Sequence, residues 1–164
     1  GGILVDFNAV KGGIEIIPLD NDWQRAAHVY SDEVLISHRT DAEKGTPKFE
    51  RGKSLSDHQR EMIYISGTAA IRGEESIVTG DVLVQTEITL ENIQHLIGLE
   101  EGREKLPEHS GKLELLRVYL KHEEDAKIVK EGMDKLCPDV PIVYLYADVC
   151  REELLVEIEG IAYL

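Results

Sequence analysis

Positive charge is scarce in this sequence. Its 164 residues include 18 lysines and arginines against 32 aspartates and glutamates, which gives a formal net charge of -14. A protein that binds nucleic acid needs a basic face for the phosphates, and acidic residues dilute even the most basic stretch, residues 103–112. We therefore expect no nucleic-acid partner. A small anionic ligand remains compatible with this composition, because a pocket can be locally positive inside an acidic protein.

Cysteine and long apolar runs are also scarce. Cys137 and Cys150 are the two cysteines, and two cysteines without a signal peptide are typical of reduced thiols, so we expect a cytoplasmic protein. No run approaches the roughly 18 apolar residues of a membrane span. The abrupt start, with a strand-like segment directly after Gly1 and Gly2, leads us to expect a fragment of a longer chain.

Several signatures of metal and phosphate chemistry are missing. The six histidines show no metal-ligand spacing. The chain has no glycine-rich phosphate loop and no nucleophile elbow. We therefore expect neither a metal nor a cofactor.

The pattern of elements predicts an α+β domain. Residues 1–60 form an N-terminal segment: short strands at 3–7, 13–18 and 33–38, a helical turn or two within 22–30, and a polar loop from 39 to 60. Residues 61–164 form the main domain, in the order strand, helix, strand, helix, strand, strand. These elements are predicted at 62–66, from 81 to Gly98, and at 112–121, 122–137, 141–148 and 154–163. We expect a two-layer domain, a mixed β-sheet with two helices packed on one face.

Ser66, Gly67 and Thr68 form a small-residue turn where an apolar strand ends. Glycine permits close approach of a ligand, and the two hydroxyls can donate or accept hydrogen bonds. A turn that satisfies its own backbone is the alternative interpretation.

Glu157 and Glu159 lie two residues apart in the last predicted strand, so they share one face of the sheet. On a solvent-facing surface they are ordinary charges. In a pocket, burial would raise the pKa of one of them and suit it to general acid/base catalysis.

The candidate cations lie in other segments. Arg117 and Tyr119 share a face of the middle strand, where they suit either a carboxylate ligand or a cross-strand ion pair. Arg51 belongs to the polar loop, and Cys150 and Arg151 lie in the turn before the last strand. Each of these three is a candidate for a pocket wall.

Four segments together resemble the RidA/YjgF superfamily, also known as L-PSP endoribonucleases. They are Ile65–Thr68, the helix with Gln85, Thr86 and Asn92, the strand Arg117–Leu120, and the terminal Val156–Ala162. The resemblance implies a chorismate-mutase-like α+β fold. It also implies a homotrimer, with sites in the clefts between subunits where the final strand's glutamate meets the Ser-Gly turn.

One departure from the family bears on its activity. Imine-deaminating members carry an arginine after a Pro-Ala near the start of the penultimate strand, where this chain has Pro141-Ile142-Val143. Ser66–Ala70, Gly80-Asp81, Ala147–Glu159 and the loop Gly45–Arg51 resemble instead the C-terminal half of the chorismatase branch. Those enzymes hydrolyse or rearrange chorismate.

The resemblance implies a site for a small carboxylate-bearing metabolite. Arg51 and Arg117 would hold its carboxylates, residues 66–68 would position it, and Glu157 or Glu159 would be the acid/base. Three alternatives stay open: a non-catalytic ligand sensor or structural trimer, a divergent deaminase, and a ribonuclease. The net charge of -14 makes the ribonuclease the weakest of them.

Overall fold

The computed structural model describes residues 9–35, 45–57, 59–98 and 112–164. The strand expected at 3–7 lies outside them. The strands are β1 Glu15–Leu19, β2 Gly52–Ser56, β3 Glu61–Thr68, β4 Ile71–Arg72, β5 Glu75–Ser76, β6 Lys112–Leu120, β7 Ile142–Tyr146 and β8 Val156–Tyr163. The helices are α1 Val82–Ile97 and α2 Ala126–Leu136. Single 3-10 turns occur at Ala27–Val29 and Glu123–Asp125.

One mixed sheet carries the architecture. Its six strands follow the order β1-β2-β3-β8-β6-β7, and β4 pairs with β5 separately. Neighbouring strands are antiparallel except β6 and β7, which are parallel and are joined through α2. A parallel pair needs such a crossover. The predicted α+β class, with two helices on one face of a mixed sheet, is confirmed.

The helices cover one face because the strands alternate. Every second residue of β6 and β8 points into the core, and Leu116, Val118, Val156 and Ile158 are fully buried there. Side chains of both helices complete the same core, among them Ile93, Ile97, Val129 and Met133.

Helix α1 begins and ends where the sequence predicts. The Asp81 carboxylate accepts hydrogen bonds from the backbone N–H groups of Leu83 at 2.8 Å and Val84 at 3.3 Å, as an N-cap does. Gly98 then adopts a left-handed conformation with φ of 74°, which ends the helix. None of the helices in the described part of the chain has the length and hydrophobicity needed to cross a membrane.

Two expectations for the N-terminal segment are wrong. The polar loop at 39–60 contains β2, which pairs with both β1 and β3. The polar residues of β2 give no strand pattern in the sequence. Ser54 is nevertheless buried, and its hydroxyl donates to the Glu61 carboxylate at 2.6 Å. At 33–38, Glu33 and Val34 lie in a turn, not in a strand. There Leu35 packs on Ala27 and Tyr30, and residues 36–38 lie outside the described part.

The second face of the sheet, which we call the outer face, is not covered by either helix. It carries apolar side chains that are substantially exposed, including Ile16 (47%), Val143 (46%) and Leu145 (38%). Arg117, Tyr119 and Glu159 lie among them, along a shallow concavity that also includes Ser66.

Candidate functional site

A cavity of about 420 Å³ lies where β3 ends and β8 begins. Segments far apart in sequence close it: residues 30–35, the irregular stretch at 45–51, and the bend at 150–151. Its walls are formed by Tyr30, Val34, Leu35, Gly45, Pro47, Phe49, Arg51, Ser66, Gly67, Ala69, Ile71, Cys150, Arg151 and Glu157. A mostly apolar cavity with a few converging polar groups is typical of a small-molecule site.

Two buried arginines define its polar side. Arg51 is 3% exposed and Arg151 is 7% exposed. Arg51 Nη2 donates to the Arg25 carbonyl at 2.6 Å and to the Tyr30 hydroxyl, while Arg51 Nε has no hydrogen-bond partner within the described structure. Arg151 Nη1 donates to the Glu74 carbonyl at 2.8 Å and to Ser76 Oγ at 2.9 Å.

The acceptors of both guanidinium groups are therefore neutral, and neither group forms an ion pair within the described ranges. The Tyr30 ring packs against both, with Cζ of Arg51 5.6 Å and Cζ of Arg151 5.5 Å from its centroid. Glu153 lies outside the cavity but close enough to interact with the Arg151 charge. A hydrogen bond from Ser76 is the main cause that lowers the pKa of Glu153, and the Arg151 charge lowers it further. Buried cations without an acidic partner are costly, so this arrangement favours an anionic ligand.

Glu157 faces the same cavity. Burial raises the pKa of its carboxyl, and the charge of Glu159 raises it further. Gly67 leaves room for the Glu157 side chain, because a Cβ at residue 67 would lie 2.9 Å from Glu157 Cδ. A larger residue at this position of β3 would force the carboxyl of Glu157 to move.

Cys150 lies beside Glu157 at the cavity wall. Burial raises the pKa of its thiol, and the Glu157 charge contributes to that increase. The thiol is therefore neutral at physiological pH, and it is a weaker nucleophile than a thiolate. Cys150 suits a wall of the cavity better than covalent catalysis.

The prediction of a turn at Ser66, Gly67 and Thr68 is wrong, because all three lie within β3, where its pairing with β8 is irregular between Ile65 and Thr68. Ser66 lines the cavity, and its hydroxyl donates to the Glu50 carbonyl at 2.6 Å. Thr68 is buried, and its hydroxyl donates to the Ser66 carbonyl at 2.8 Å. Thr68 does not line the cavity, and its hydrogen bond supports the irregular end of the strand that does.

Arg117, Tyr119 and Glu159 lie outside the cavity, on the outer face. Arg117 Nε contacts Glu159 Oε1 at 2.7 Å, and the Tyr119 hydroxyl donates to the same carboxylate. Of the two interpretations of Arg117, the cross-strand ion pair is the one present. The structure thus brings together Arg51, Ser66, Gly67, Cys150, Arg151 and Glu157, and it separates the other candidates from them.

Buried amides of α1 hold the cavity walls in place. Gln85 donates to the Glu153 carbonyl at 2.9 Å and accepts from the Leu155 N–H at 2.8 Å. Asn92 donates to the carbonyls of Ala69 at 3.0 Å and Ile71 at 3.1 Å. These bonds fix the turn that carries Cys150 and Arg151, and the turn that follows β3.

Sequence reasoning missed the aromatic residues Tyr30 and Phe49. Phe49 also stacks on Arg51, with its centroid 5.2 Å from Cζ. Both residues lie in the less regular first 60 residues, and no periodicity connects them to Arg51 or Arg151. Within the described ranges, no group of three or more His, Cys, Asp or Glu side chains is arranged to hold a metal.

Known proteins share this arrangement of elements. No protein-family model matches the chain. A chorismatase of Streptomyces rapamycinicus is 32% identical over 169 residues, covering 98% of this chain and 47% of the relative. A 3-hydroxybenzoate synthase of Streptomyces hygroscopicus is 36% identical over 128 residues, covering 70% of this chain and 36% of the relative.

The solved structures agree. The crystal structure of a chorismatase superposes with a TM-score of 0.73 at 28% identity, over 90% of this chain and 43% of that one. This chain is similar to chorismatases and has the RidA/YjgF fold. The fold is shared with the YjgF gene product of E. coli, which has a TM-score of 0.58 at 16% identity, over 89% of this chain and 97% of that one. The chain spans about half the length of the curated chorismatases that it matches.

Proposed function

We propose that the cavity binds chorismate, or a dicarboxylate closely similar to it, and that Glu157 is the acid that begins cleavage of its enol ether. One observation carries the proposal: two buried guanidinium groups with neutral partners share a cavity with a carboxyl whose pKa is raised by burial. The sequence similarity to two chorismatases and a 3-hydroxybenzoate synthase supports it.

The charges of the cavity suit such a substrate. Chorismate carries two carboxylates, and Arg51 and Arg151 supply two cationic groups whose forked geometry matches carboxylates. Arg151 has the carboxylate-binding role that the family resemblance implied for Arg117. The rings of Tyr30 and Phe49 and the side chains of Leu35 and Ile71 offer apolar contact to a six-membered ring.

The chemistry requires an acid close to the enol ether. The protonated Glu157 carboxyl donates its proton to the terminal methylene carbon of the enolpyruvyl group, which leaves a cation stabilised by the ether oxygen. Water adds to the carbon that carries the ether oxygen, and the resulting hemiketal breaks down to pyruvate and a dihydroxycyclohexadiene carboxylate. The proton released by the water restores Glu157, so one water is consumed for each chorismate.

A related outcome needs no net water. Loss of pyruvate from chorismate with aromatisation gives a hydroxybenzoate, and the sum of the two products equals the substrate. The similarity to a 3-hydroxybenzoate synthase makes this the second candidate reaction at the same cavity.

Incubation with chorismate tests the proposal. Pyruvate release is followed with lactate dehydrogenase, and liquid chromatography separates a dihydroxy acid from a hydroxybenzoate. We expect turnover by the wild type and a loss of at least about 100-fold in Glu157→Gln, the scale of general acid catalysis. Glu114→Gln is the matched control, because Glu114 is an exposed carboxylate on β6 that does not line the cavity, and it should keep most of the activity.

Binding and turnover separate the remaining alternatives. Saturable thermal stabilisation by chorismate without pyruvate release would contradict the enzymatic proposal and support a ligand sensor. Release of ammonia from enamines or imines, with no action on chorismate, would support a divergent deaminase.

The same proposal includes self-assembly and location. We propose that a homotrimer covers the apolar side chains of the outer face, because an exposed apolar patch on a sheet favours association. Light scattering after size exclusion measures the mass, and a monomer at micromolar concentration would contradict it. The free thiols Cys137 and Cys150 suit a reducing, cytoplasmic location.

A further inference from the structure

The ion-pair network beside the cavity has a geometry that bears on Glu157. In the antiparallel register of β6 and β8, Arg117 faces Glu159 and Tyr119 faces Glu157. Yet the Tyr119 hydroxyl donates to Glu159, the diagonal neighbour, and not to the carboxyl opposite it. Glu159 therefore receives both the Arg117 Nε–H, at 2.7 Å, and the Tyr119 O–H.

The two glutamates form a carboxyl pair on one strand. They point to the same face of β8 with one residue, Ile158, between them, so their α-carbons lie about 6–7 Å apart at strand spacing. Neighbouring carboxyls compete for a proton, and each disfavours ionisation of the other. The partner that receives hydrogen bonds from a cation and a hydroxyl is the one that stays ionised.

Tyr119 keeps its proton for this role. Burial and its hydrogen bond to Glu159 raise the pKa of the Tyr119 hydroxyl to about 12. It is therefore a hydrogen-bond donor at every pH at which the fold is expected to work. Arg117 is always charged.

The other surroundings of Glu157 do not compete for this role. Gly67 on β3 offers no side chain, and the neighbouring Cys150 thiol is held neutral by burial. Arg51 and Arg151 share the cavity with Glu157, and their positive charges act against protonation. Burial is the main cause that raises the pKa of Glu157, and among the charged groups of the described residues it is Glu159 that raises it further.

We propose that Glu159, which is bound by Arg117 and Tyr119, is a positioning residue whose negative charge favours a proton on Glu157. This rests on the proposed function insofar as Glu157 is the acid. It gives Glu159, Arg117 and Tyr119 a role that needs no contact with the substrate. It also explains why two carboxyls occupy a sheet face where one acid is sufficient.

Carboxyl-carbon NMR tests the inference directly. The protein is labelled with ¹³Cδ-glutamate, and the Glu157 resonance is assigned as the one lost in Glu157→Gln. We expect Glu159→Gln to lower the titration midpoint of Glu157 by about one pH unit, the coupling scale of an interacting pair. Glu114→Gln is the matched control, because Glu114 is an exposed carboxylate on β6, and it should leave the midpoint unchanged.

A double variant distinguishes charge from disruption. Glu159→Gln leaves the Arg117 charge without its partner, whereas the double substitution Glu159→Gln/Arg117→Gln removes both charges. We expect the Glu157 midpoint to fall in the order wild type, double variant, single variant. A double variant at or below the single variant would overturn the inference, as would an unchanged midpoint in both; if the single variant does not fold, the double variant against wild type decides it.

The titration needs no substrate, so its result is independent of the enzymatic proposal. A lowered midpoint in a protein that does not act on chorismate would support the inference while removing the proposed reaction. Turnover of chorismate with an unshifted Glu157 midpoint in Glu159→Gln would support the proposed reaction and contradict the inference about Glu159. Where turnover occurs, the alkaline limb of the kcat profile should move down in Glu159→Gln together with the midpoint.

Discussion

Replacing Arg51 with methionine separates ligand binding from folding. The change removes a guanidinium that is 3% exposed and whose hydrogen-bond acceptors are the Arg25 carbonyl and the Tyr30 hydroxyl. Hydrogen bonds between charged groups are worth about 1.5–3 kcal/mol each. Loss of one such contact to a carboxylate should therefore raise the Kd for chorismate by about 10-fold to 150-fold.

Stability should change much less than binding. Arg51→Met loses two hydrogen bonds from a charged donor, at about 1.5–3 kcal/mol each. It also relieves the burial of a cation without an acidic partner, and apolar replacement of buried ionic groups is often neutral or stabilising by about 1–4 kcal/mol. The two effects offset each other to within about 2 kcal/mol, which corresponds to a Tm change below about 8 °C at this size.

Calorimetric titration with chorismate gives the Kd, and denaturant unfolding gives the stability. Arg72→Met is the matched control, because Arg72 pairs with Glu91 at 2.7 Å outside the cavity, and its Kd should equal that of the wild type. A decrease of more than about 5 kcal/mol in the free energy of unfolding of Arg51→Met would refute the reasoning, because losses of that size are exceptional and indicate an essential structural role. So would an unchanged Kd in Arg51→Met, since the buried charge would then serve no ligand.

Three further predictions concern the cavity wall and its acid. Gly67→Ala should displace the Glu157 carboxyl. We expect kcat to fall at least about 10-fold and the free energy of unfolding to fall by about 1–3 kcal/mol. Gly12→Ala is the control, because a Cβ there meets nothing within 4 Å, and it should change neither kcat nor the free energy of unfolding. The folded state holds the Glu157 proton above the ordinary pKa of 4.5, so wild-type stability should fall as the pH rises through the raised value. Denaturant unfolding should accordingly show Glu157→Gln gaining stability relative to wild type at about pH 8 and not at about pH 4. Gln85→Leu should lower the free energy of unfolding by about 2–4 kcal/mol, because it leaves the buried Glu153 carbonyl and Leu155 N–H without their partner. Glu87→Leu on the same helix should lower it by less than about 1 kcal/mol in the same assay.

The regular elements of residues 61–164 were predictable because their signals are local. The Asp81 cap, the Gly98 terminus and the alternation in β8 each depend on neighbours within a few residues. The strand β2 was not predictable, since its polar residues Lys53, Ser54 and Ser56 are accommodated by pairing on both sides. Strand preference depends on what the neighbouring strands provide.

The site was predictable only in part. The motifs around Ser66 and Glu157 pointed to one location, and the structure places Ser66, Gly67 and Glu157 on one cavity. Arg117 has the charge expected of a ligand-binding residue, but it lies on the outer face and is paired with Glu159. Tyr30 and Phe49 gave no signal, because their role depends on packing against arginines that are distant in sequence.

The sequence by itself determined the α+β class, the ends of α1, and the shared face of Glu157 and Glu159, since periodicity and capping act over short distances. Only the tertiary structure decided which glutamate enters the cavity and which arginines remain there without acidic partners. Burial and charge pairing are properties of the whole packed chain, because desolvation depends on every segment that closes around a group. Glu157 and Glu159 are identical side chains two residues apart, and the surroundings that the fold gives each of them set their different roles.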